Sequence, residues 1–376
     1  MAPNSSSVMH ASPNAMCRNL TSTPHSPSGN LPALSKACTR DIWAVRWVTA
    51  RHKNLHHSPN RCKQRSPAPT SRWLAYTDAA MSSSSESYQL HESYTEFPSL
   101  SAPLLVVMLQ GWIDASSAAH AAMTRLVDEC GATTLVTFNA DEYLDFRARR
   151  PTMELREGIN TRLDWPSTDI MLGHDINGKD VLLLTGHEPD TKWNHFAASV
   201  GQLATQLGVR KMIGLGAYPF ATPHTRAVNI SCTSPSSDAI AALPYVRSSV
   251  DVPAGIEAVL EHVLAGRGIP SIGIWAQVPH YATTMPYPAA TVALLSAVCD
   301  TGGISLDISA ARADATSHRE RLDTLVAANP DHAQLLSQLE SAYDAAHQRD
   351  DNTADIPSGD ELAAQFEKYL REQRSD

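Results

Sequence analysis

Short, continuous apolar runs alternate with amphipathic segments along the middle of the chain. The run at 103–109 predicts a strand that is buried on both faces, and the β-branched residues at 133–138 predict the next strand. The small and apolar residues at 115–127 predict a helix between them, with Asp114 as its cap. This strand–helix–strand order is typical of the βαβ unit of a parallel sheet.

The pattern changes between residues 156 and 184. Short strand patterns at 159–163 and 169–172 are followed by Asn177-Gly178, a strong tight-turn signal, and then by a strand pattern at 181–185. These residues predict a hairpin or meander, which would make the sheet mixed.

Strands and helices then alternate up to about residue 303, and helices follow. Strands are predicted at 209–215, 226–232 and 270–276, and helices at 192–207, 255–264, 288–298, 304–329, 331–347 and 359–371, with a polar linker at 349–357. The order predicts an α/β fold, a three-layer α/β/α sandwich with a mixed, mostly parallel sheet over residues 95–303. Residues 304–376 are predicted to form a C-terminal helical appendage.

The first 80 residues differ from the rest in charge. They carry ten Lys or Arg and two Asp or Glu, whereas residues 81–376 carry 20 and 37, a net charge of −17. Residues 1–80 fit an organellar transit peptide, a basic disordered tail that binds nucleic acid or an acidic surface, or a non-native extension from a start site placed too far upstream. We favour the extension, because Met81 opens a new composition.

Charge and cysteine usage narrow the function classes. The acidic remainder argues against nucleic acid as a partner of the core, and no run is long enough for a membrane span. Cys130, Cys232 and Cys299 are far apart in sequence and form no CxxC pair, which favours buried free thiols in a cytoplasmic protein. Without a dinucleotide or Walker A fingerprint, a nucleophile elbow or an HExxH motif, no cofactor or metal is expected.

Two polar loops follow predicted strands in the first half of the chain. In the first loop, Gly111 permits close backbone approach to an anion at a helix N-terminus, and Asp114 serves either that site or a simple helix cap. In the second, His187 and Glu188 offer a general base and a carboxylate for a sugar hydroxyl, or form a capping loop.

Two further loops lie in the second half. The segment 214–226 ends in His224, Thr225 and Arg226, where the guanidinium either binds a carboxylate or phosphate or forms a structural ion pair. His280 and Tyr281 follow the strand at 270–276. Because such loops meet at the carboxyl edge of an α/β sheet, we expect all four to share a crevice. A basic run at 143–150 fits an anion site, a subunit contact or a solvated loop.

Five segments together resemble one known family. GWIDA at 111–115, the run at 143–150, TGHEPD at 185–190, GLGAYPFATPHTR at 214–226 and WAQVPHYATTMPYPAA at 275–290 are similar to the actinobacterial branch of the proteasome assembly chaperone 2 family, over residues 95–372. The resemblance implies a nucleoside phosphorylase/hydrolase-like sandwich and, from eukaryotic members, a role in assembling proteasome rings. Some bacterial members carry a label of ATP-dependent carboxylate–amine ligase, but the Lys- and Mg-binding pattern that such a ligase needs is not visible here.

Two functions therefore stay open, and whether the chain is an enzyme stays open with them. One is an interaction or assembly protein with a polar crevice, a homo-oligomer that also binds a protein partner. The other is an enzyme or binder for a small anionic or nucleoside-like ligand. In it Arg226, the Gly111 turn, Asp114, His187, Thr225 and Tyr281 hold the ligand, Glu188 binds a sugar hydroxyl, and His224 or His280 transfers a proton.

Overall fold

The computed structural model describes residues 87–350, with side chains as far as residue 346. The expectations for residues 1–80, for the linker beyond residue 350 and for the helix at 359–371 lie outside the described residues. The strands are β1 (Tyr88–Leu90), β2 (Leu104–Gln110), β3 (Thr133–Phe138), β4 (Thr152–Arg156), β5 (Ile159–Asp164), β6 (Thr168–His174), β7 (Asp180–His187), β8 (Lys211–Phe220), β9 (Ile230–Thr233) and β10 (Ser271–Pro279).

Eight α-helices lie in the described part of the chain. They are α1 (Ala118–Glu129), α2 (Ala140–Tyr143), α3 (Trp193–Gln206), α4 (Ser237–Ile240), α5 (Ile256–Gly266), α6 (Pro288–Gly302), α7 (Ser309–Ala327) and α8 (Pro330–Asp350). Within residues 87–350 no helix is both long and apolar enough to cross a membrane.

The main sheet is mixed, as predicted, with the strand order β1-β3-β6-β7-β2-β8-β10-β9. The central strands β7, β2, β8 and β10 are parallel neighbours, and the pairs β6–β7, β3–β6, β1–β3 and β10–β9 are antiparallel. A helical connection, α3, leads from β7 to β8, and α5 leads into β10, whereas the tight turn at Asn177-Gly178 returns the chain directly from β6 to β7.

Helices cover both faces of the sheet, which confirms the α/β/α sandwich. Alternate residues of β2 point to opposite sides: Val106 packs with α1 and α6, and Val107 packs with α3 and α5. The first core also takes in Ala311 and Leu322 of α7. The burial of β2 on both faces matches its continuous apolar run.

Several boundaries differ from the prediction. β8 continues through Phe220, so most of the expected loop at 214–226 is strand, because a parallel partner, β10, runs beside it to the end. β9 begins only at Ile230, and α7 only at Ser309. β2 and β3 run in the same direction but are not neighbours, since the β6–β7 hairpin lies between them.

β4 and β5 form a separate two-stranded sheet of their own. They pair antiparallel from Thr152↔Asp164 to Arg156↔Ile159, with one irregularity after Glu154. Nearly all of the hairpin's residues are exposed. Within the described chain, no strand of the main sheet pairs with it.

Candidate functional site

The carboxyl ends of β2 and β8 separate from each other. β2 pairs with β7 along its whole length but with β8 only as far as Val107↔Gly214. The carboxylate of Glu257, from the first turn of α5, accepts a hydrogen bond from the Leu109 N–H at 3.3 Å. A β-carbon on residue 214 would lie 3.1 Å from Glu257 Oε2, so the glycine leaves room for this carboxyl. In an open α/β sheet, ligands bind in a crevice of this kind.

Four predicted site residues gather at this end of β2 and β7. Gly111 has a φ of +139°, and Glu188 packs directly against it. The Glu188 N–H donates to the Gln110 carbonyl at 2.9 Å, and Glu188 Oε2 accepts from the Ile256 N–H at 3.3 Å. His187 is the last residue of β7, next to Glu188.

Asp114 acts as a cap, as its position before a helix predicts. Its two carboxylate oxygens accept from the N–H groups of Ala119 and His120 in the first turn of α1, at 2.9 and 3.0 Å. Ser116 and Ser117 adopt left-handed φ angles within the short 3-10 turn, Ala115–Ser117, that leads from Asp114 into this helix. The carboxylate therefore satisfies backbone donors that would otherwise have no partner.

Burial governs the titration of the carboxyls in this region. It raises the pKa values of Asp114 and Glu188, and that of Glu257 well above its usual range, with further contributions to Glu257 from neighbouring acids. Burial also raises the pKa of Glu261, one turn further along α5, to about 7, although a hydrogen bond from Thr233 opposes the shift. A protonated carboxyl both donates and accepts hydrogen bonds, so the carboxyl of Glu261 can bind a hydrogen-bond donor or an acceptor.

His187 shifts in the opposite direction. Burial lowers the pKa of its imidazole, and the Arg149 guanidinium lowers it further. A neutral imidazole is the form that accepts a proton. Arg149 itself, from the predicted basic run, forms an ion pair with Asp190, and Tyr143 of the same run is buried with its hydroxyl 2.9 Å from His195 Nδ1. Tyr143 and Arg149 of that run therefore make structural contacts.

The second group of predicted residues lies in the loop after β8. The His224 side chain is enclosed, with Nδ1 2.7 Å from the Tyr281 hydroxyl and Nε2 3.1 Å from Asp323 Oδ1. The Tyr281 oxygen also accepts from the His224 N–H at 2.8 Å. The pattern is complete when Tyr281 donates to Nδ1 and the Nε2–H donates to Asp323.

Arg226 is held by α8, the last helix of the described residues. Its Nε and Nη2 donate to the two oxygens of Asp344 at 2.8 and 2.7 Å, and Nη1 donates to Glu340 at 3.1 Å. Thr225 donates its hydroxyl to the same Glu340 oxygen. Hydrogen bonds from these carboxylates raise the pKa of Arg226 above its usual range.

The structure thus places the predicted residues in two groups. Gly111, Asp114, His187 and Glu188 form one, and His224, Thr225, Arg226 and Tyr281 form the other; His280 lies beside Tyr281, with ring centroids 5.4 Å apart. Ser116 joins the groups, since its N–H and hydroxyl donate to the carbonyls of Thr283 and Ala282.

Five acidic residues at these groups were missed from the sequence: Asp323, which contacts His224, and two pairs of glutamate or aspartate on helices. Glu257 and Glu261 lie on an apolar helix, and Glu340 and Asp344 lie on α8, each pair four residues apart. Their spacing of four residues is only a weak signal of a site, because acids at this spacing are common on solvated helix faces. Among the described residues, no three His, Cys, Asp or Glu side chains are placed to hold a metal ion.

A model of the family described as PAC2 family matches residues 108–326. The chain belongs to the PAC2 family. This confirms the resemblance to the proteasome assembly chaperone 2 family. None of the curated proteins matches the chain.

Three solved structures share the fold. The Mycobacterium tuberculosis unknown function protein Rv2714 is 35% identical, with a TM-score of 0.65 over 71% of this chain and 92% of that one. A PAC2 family protein from Streptomyces avermitilis is 30% identical, with a TM-score of 0.57 over 62% and 99%. The Mycobacterium tuberculosis proteasome-assembly chaperone homologue Rv2125 is 29% identical, with a TM-score of 0.58 over 62% and 99%.

Proposed function

We propose that this PAC2 family member is an assembly-type protein that acts by binding other protein chains, including a second copy of itself. The observation that carries the proposal is the exposed apolar face of the β4–β5 hairpin. The similarity to a protein described as a proteasome-assembly chaperone homologue supports the same class. The free thiols Cys130, Cys232 and Cys299 support a reducing cytoplasmic location.

One face of the hairpin is apolar and the other is charged. Met153 and Leu163 are directly opposite each other, 50% and 42% exposed, and Leu155 is two residues further along β4. Glu154 and Arg162 are opposite each other in the neighbouring register position, on the other face. An apolar face that is exposed in this way marks a surface where another protein chain binds.

The hairpin also has little support of its own. A two-stranded sheet is marginally stable in water, and three or more strands or a packed face are needed for stability. At its base, Trp165 makes an edge contact with Phe146, at a ring-centroid distance of 4.8 Å, yet remains 54% exposed. Contact with a second copy would both cover the apolar face and complete the sheet.

Sedimentation velocity of the full chain tests this proposal. We expect the wild type to associate reversibly, and the double variant Met153→Asp with Leu163→Asp to sediment as a monomer. The matched control is Ile176→Asp, which places a charge on a 65% exposed isoleucine in the turn between β6 and β7. Identical sedimentation of the wild type and both variants would exclude the hairpin as the contact.

A small-ligand site at the β2–β8 crevice is the second candidate. It is favoured by the desolvated carboxyls that converge there and by the neutral His187 beside Glu188. Under this hypothesis Gly111 and Asp114 line the crevice, Glu188 binds a hydroxyl, and His224 or His280 transfers a proton. Arg226 and Thr225 would bind an anion only after α8 releases them.

Thermal unfolding against phosphate, nucleosides, nucleotides with Mg²⁺ and amino acids tests the second candidate. A ligand at about 100 times its Kd adds roughly 2.7 kcal/mol to the free energy of unfolding. The shift should be lost in Glu188→Gln. If the wild type is folded and no compound stabilises it, the small-ligand site is rejected and the assembly function is the remaining candidate.

A further inference from the structure

We propose that the loop at 222–229 is a docking site for an acidic helix that presents two carboxylates one turn apart, and that α8 is its internal occupant. The inference rests on the proposed function, since it supposes that this protein binds other chains. It adds a second surface, separate from the hairpin, and defines the chemistry of the partner that fits it.

The loop contacts two carboxylates on one face of α8. Residues four apart on a helix lie on the same face, and here they are Glu340 and Asp344. Arg226 binds Asp344 through two parallel hydrogen bonds and Glu340 through a third, while Thr225 donates to Glu340. A planar guanidinium fork makes this arrangement specific for paired carboxylates.

Backbone groups of the loop are also contacted. The Tyr343 hydroxyl donates to the Ala227 carbonyl at 3.1 Å and lies 3.2 Å from Asn229 Oδ1. Arg319 of α7 donates to the Thr225 carbonyl at 3.0 Å and so holds the loop from a second helix. The loop therefore offers α8 backbone and side-chain acceptors as well as the charge of Arg226.

The attachment of α8 has little apolar contact behind it. Leu339 is the one buried side chain among residues 330–346, and Leu335 is 38% exposed. The ion pairs are themselves partly solvated, with the Arg226 and Asp344 side chains 34% and 44% exposed. Because α8 has little apolar contact, these hydrogen-bonded ion pairs supply most of its attachment, and their partial solvation lets a second helix with the same carboxylates exchange with α8.

A peptide titration tests the inference on the full chain. The probe is a fluorescent synthetic peptide of residues 330–350, and the receptor is the Glu340→Gln, Asp344→Asn variant, in which α8 no longer presents its carboxylates. Because the tethered helix competes at an effective concentration near the millimolar range, we expect the variant to bind the peptide at least about tenfold more tightly than the wild type.

Two controls make the test specific. Adding Arg226→Ala to the variant should abolish binding, and a peptide carrying the same Gln and Asn changes should not bind. The single Glu340→Gln variant replaces the double variant if the latter unfolds. Equal binding by wild type and variant, or binding that Arg226→Ala leaves unchanged, would overturn the proposal.

Sedimentation separates this inference from the proposed function. The titration is repeated in the Met153→Asp, Leu163→Asp background, so failure of the hairpin contact does not affect it. If the Glu340→Gln, Asp344→Asn variant sediments as a smaller species than the wild type, the loop binds α8 of a second copy, and the assignment of α8 as the internal occupant is overturned.

Discussion

The side chain of Glu188 occupies the space beside Gly111 that any β-carbon would need. A β-carbon built on residue 111 would lie 2.6 Å from Glu188 Cγ, and the glycine φ of +139° is one that L side chains rarely adopt. The turn after β2 therefore depends on glycine both for its backbone conformation and for the position of the carboxyl.

Gly111→Ala should lower the free energy of unfolding by about 2 kcal/mol, because backbone strain and the contact with Glu188 add together. Gly178→Ala is the matched control: its φ is +77°, but apart from its own chain neighbours no atom of residues 87–346 lies within 4 Å of the added methyl group. Urea denaturation should show the smaller loss for Gly178→Ala. Equal losses would mean that Glu188 moves aside without cost.

Because burial raises the pKa of Glu261, we expect its contribution to the free energy of unfolding to fall as the pH rises. Its pKa is 4.5 without burial and about 7 in the folded chain, so the unfolded state ionises first. The stabilisation is complete below about pH 4.5 and is lost as the pH rises through 7, by about 3 kcal/mol in total. Glu261→Gln should reduce this slope and be the more stable protein at pH 8, whereas Glu320→Gln, on an exposed face of α7, should not. An unchanged slope in Glu261→Gln would contradict the assignment.

Tyr281→Phe should destabilise the loop after β8. The substitution leaves the His224 N–H and Nδ1 without their partner, and His224 is 3% exposed. An orphaned buried polar group costs about 1–3 kcal/mol, which chemical denaturation measures directly. A loss below 0.5 kcal/mol, on the order of a surface substitution, would show that water replaces the hydroxyl.

Arg226→Lys should loosen α8 although the charge is kept. A lysine ammonium lacks the fork that binds both Asp344 oxygens. Amide exchange in residues 330–346 should be faster in Arg226→Lys than in the wild type and faster still in Arg226→Ala. Arg321→Lys, on the exposed surface of α7, is the control and should leave the exchange of α8 unchanged.

The fold was predictable where the pattern of apolar residues determines it. The continuous apolar run of β2 identified a strand buried on both faces, and Asn177-Gly178 identified the hairpin of β6 and β7. The place of β3 was not predictable, because strand order depends on which edges pair and not on local pattern. The length of β8 was hidden by Pro219, which reads as a loop residue but is paired with Val278 of β10.

The candidate site was predictable only in part. The loops after β2 and β7 come together because parallel strands end at one edge. The partners of Arg226 were not predictable, since Asp344 is 118 residues away and nothing local marks an acid on a solvated helix as a ligand. The exposure of the hairpin was not predictable either. Met153, Leu155 and Leu163 are typical strand residues, and the sequence does not indicate that no other element covers them in the fold.

Hydrogen exchange of the hairpin amides tests the central claim most directly. Residues 152–164 of the full-length protein would be followed at low and high protein concentration. If the hairpin binds a second copy, its amides should exchange more slowly at the higher concentration, and this protection should disappear in Met153→Asp, Leu163→Asp. Fast exchange at every concentration, in wild type and variant alike, would contradict the account.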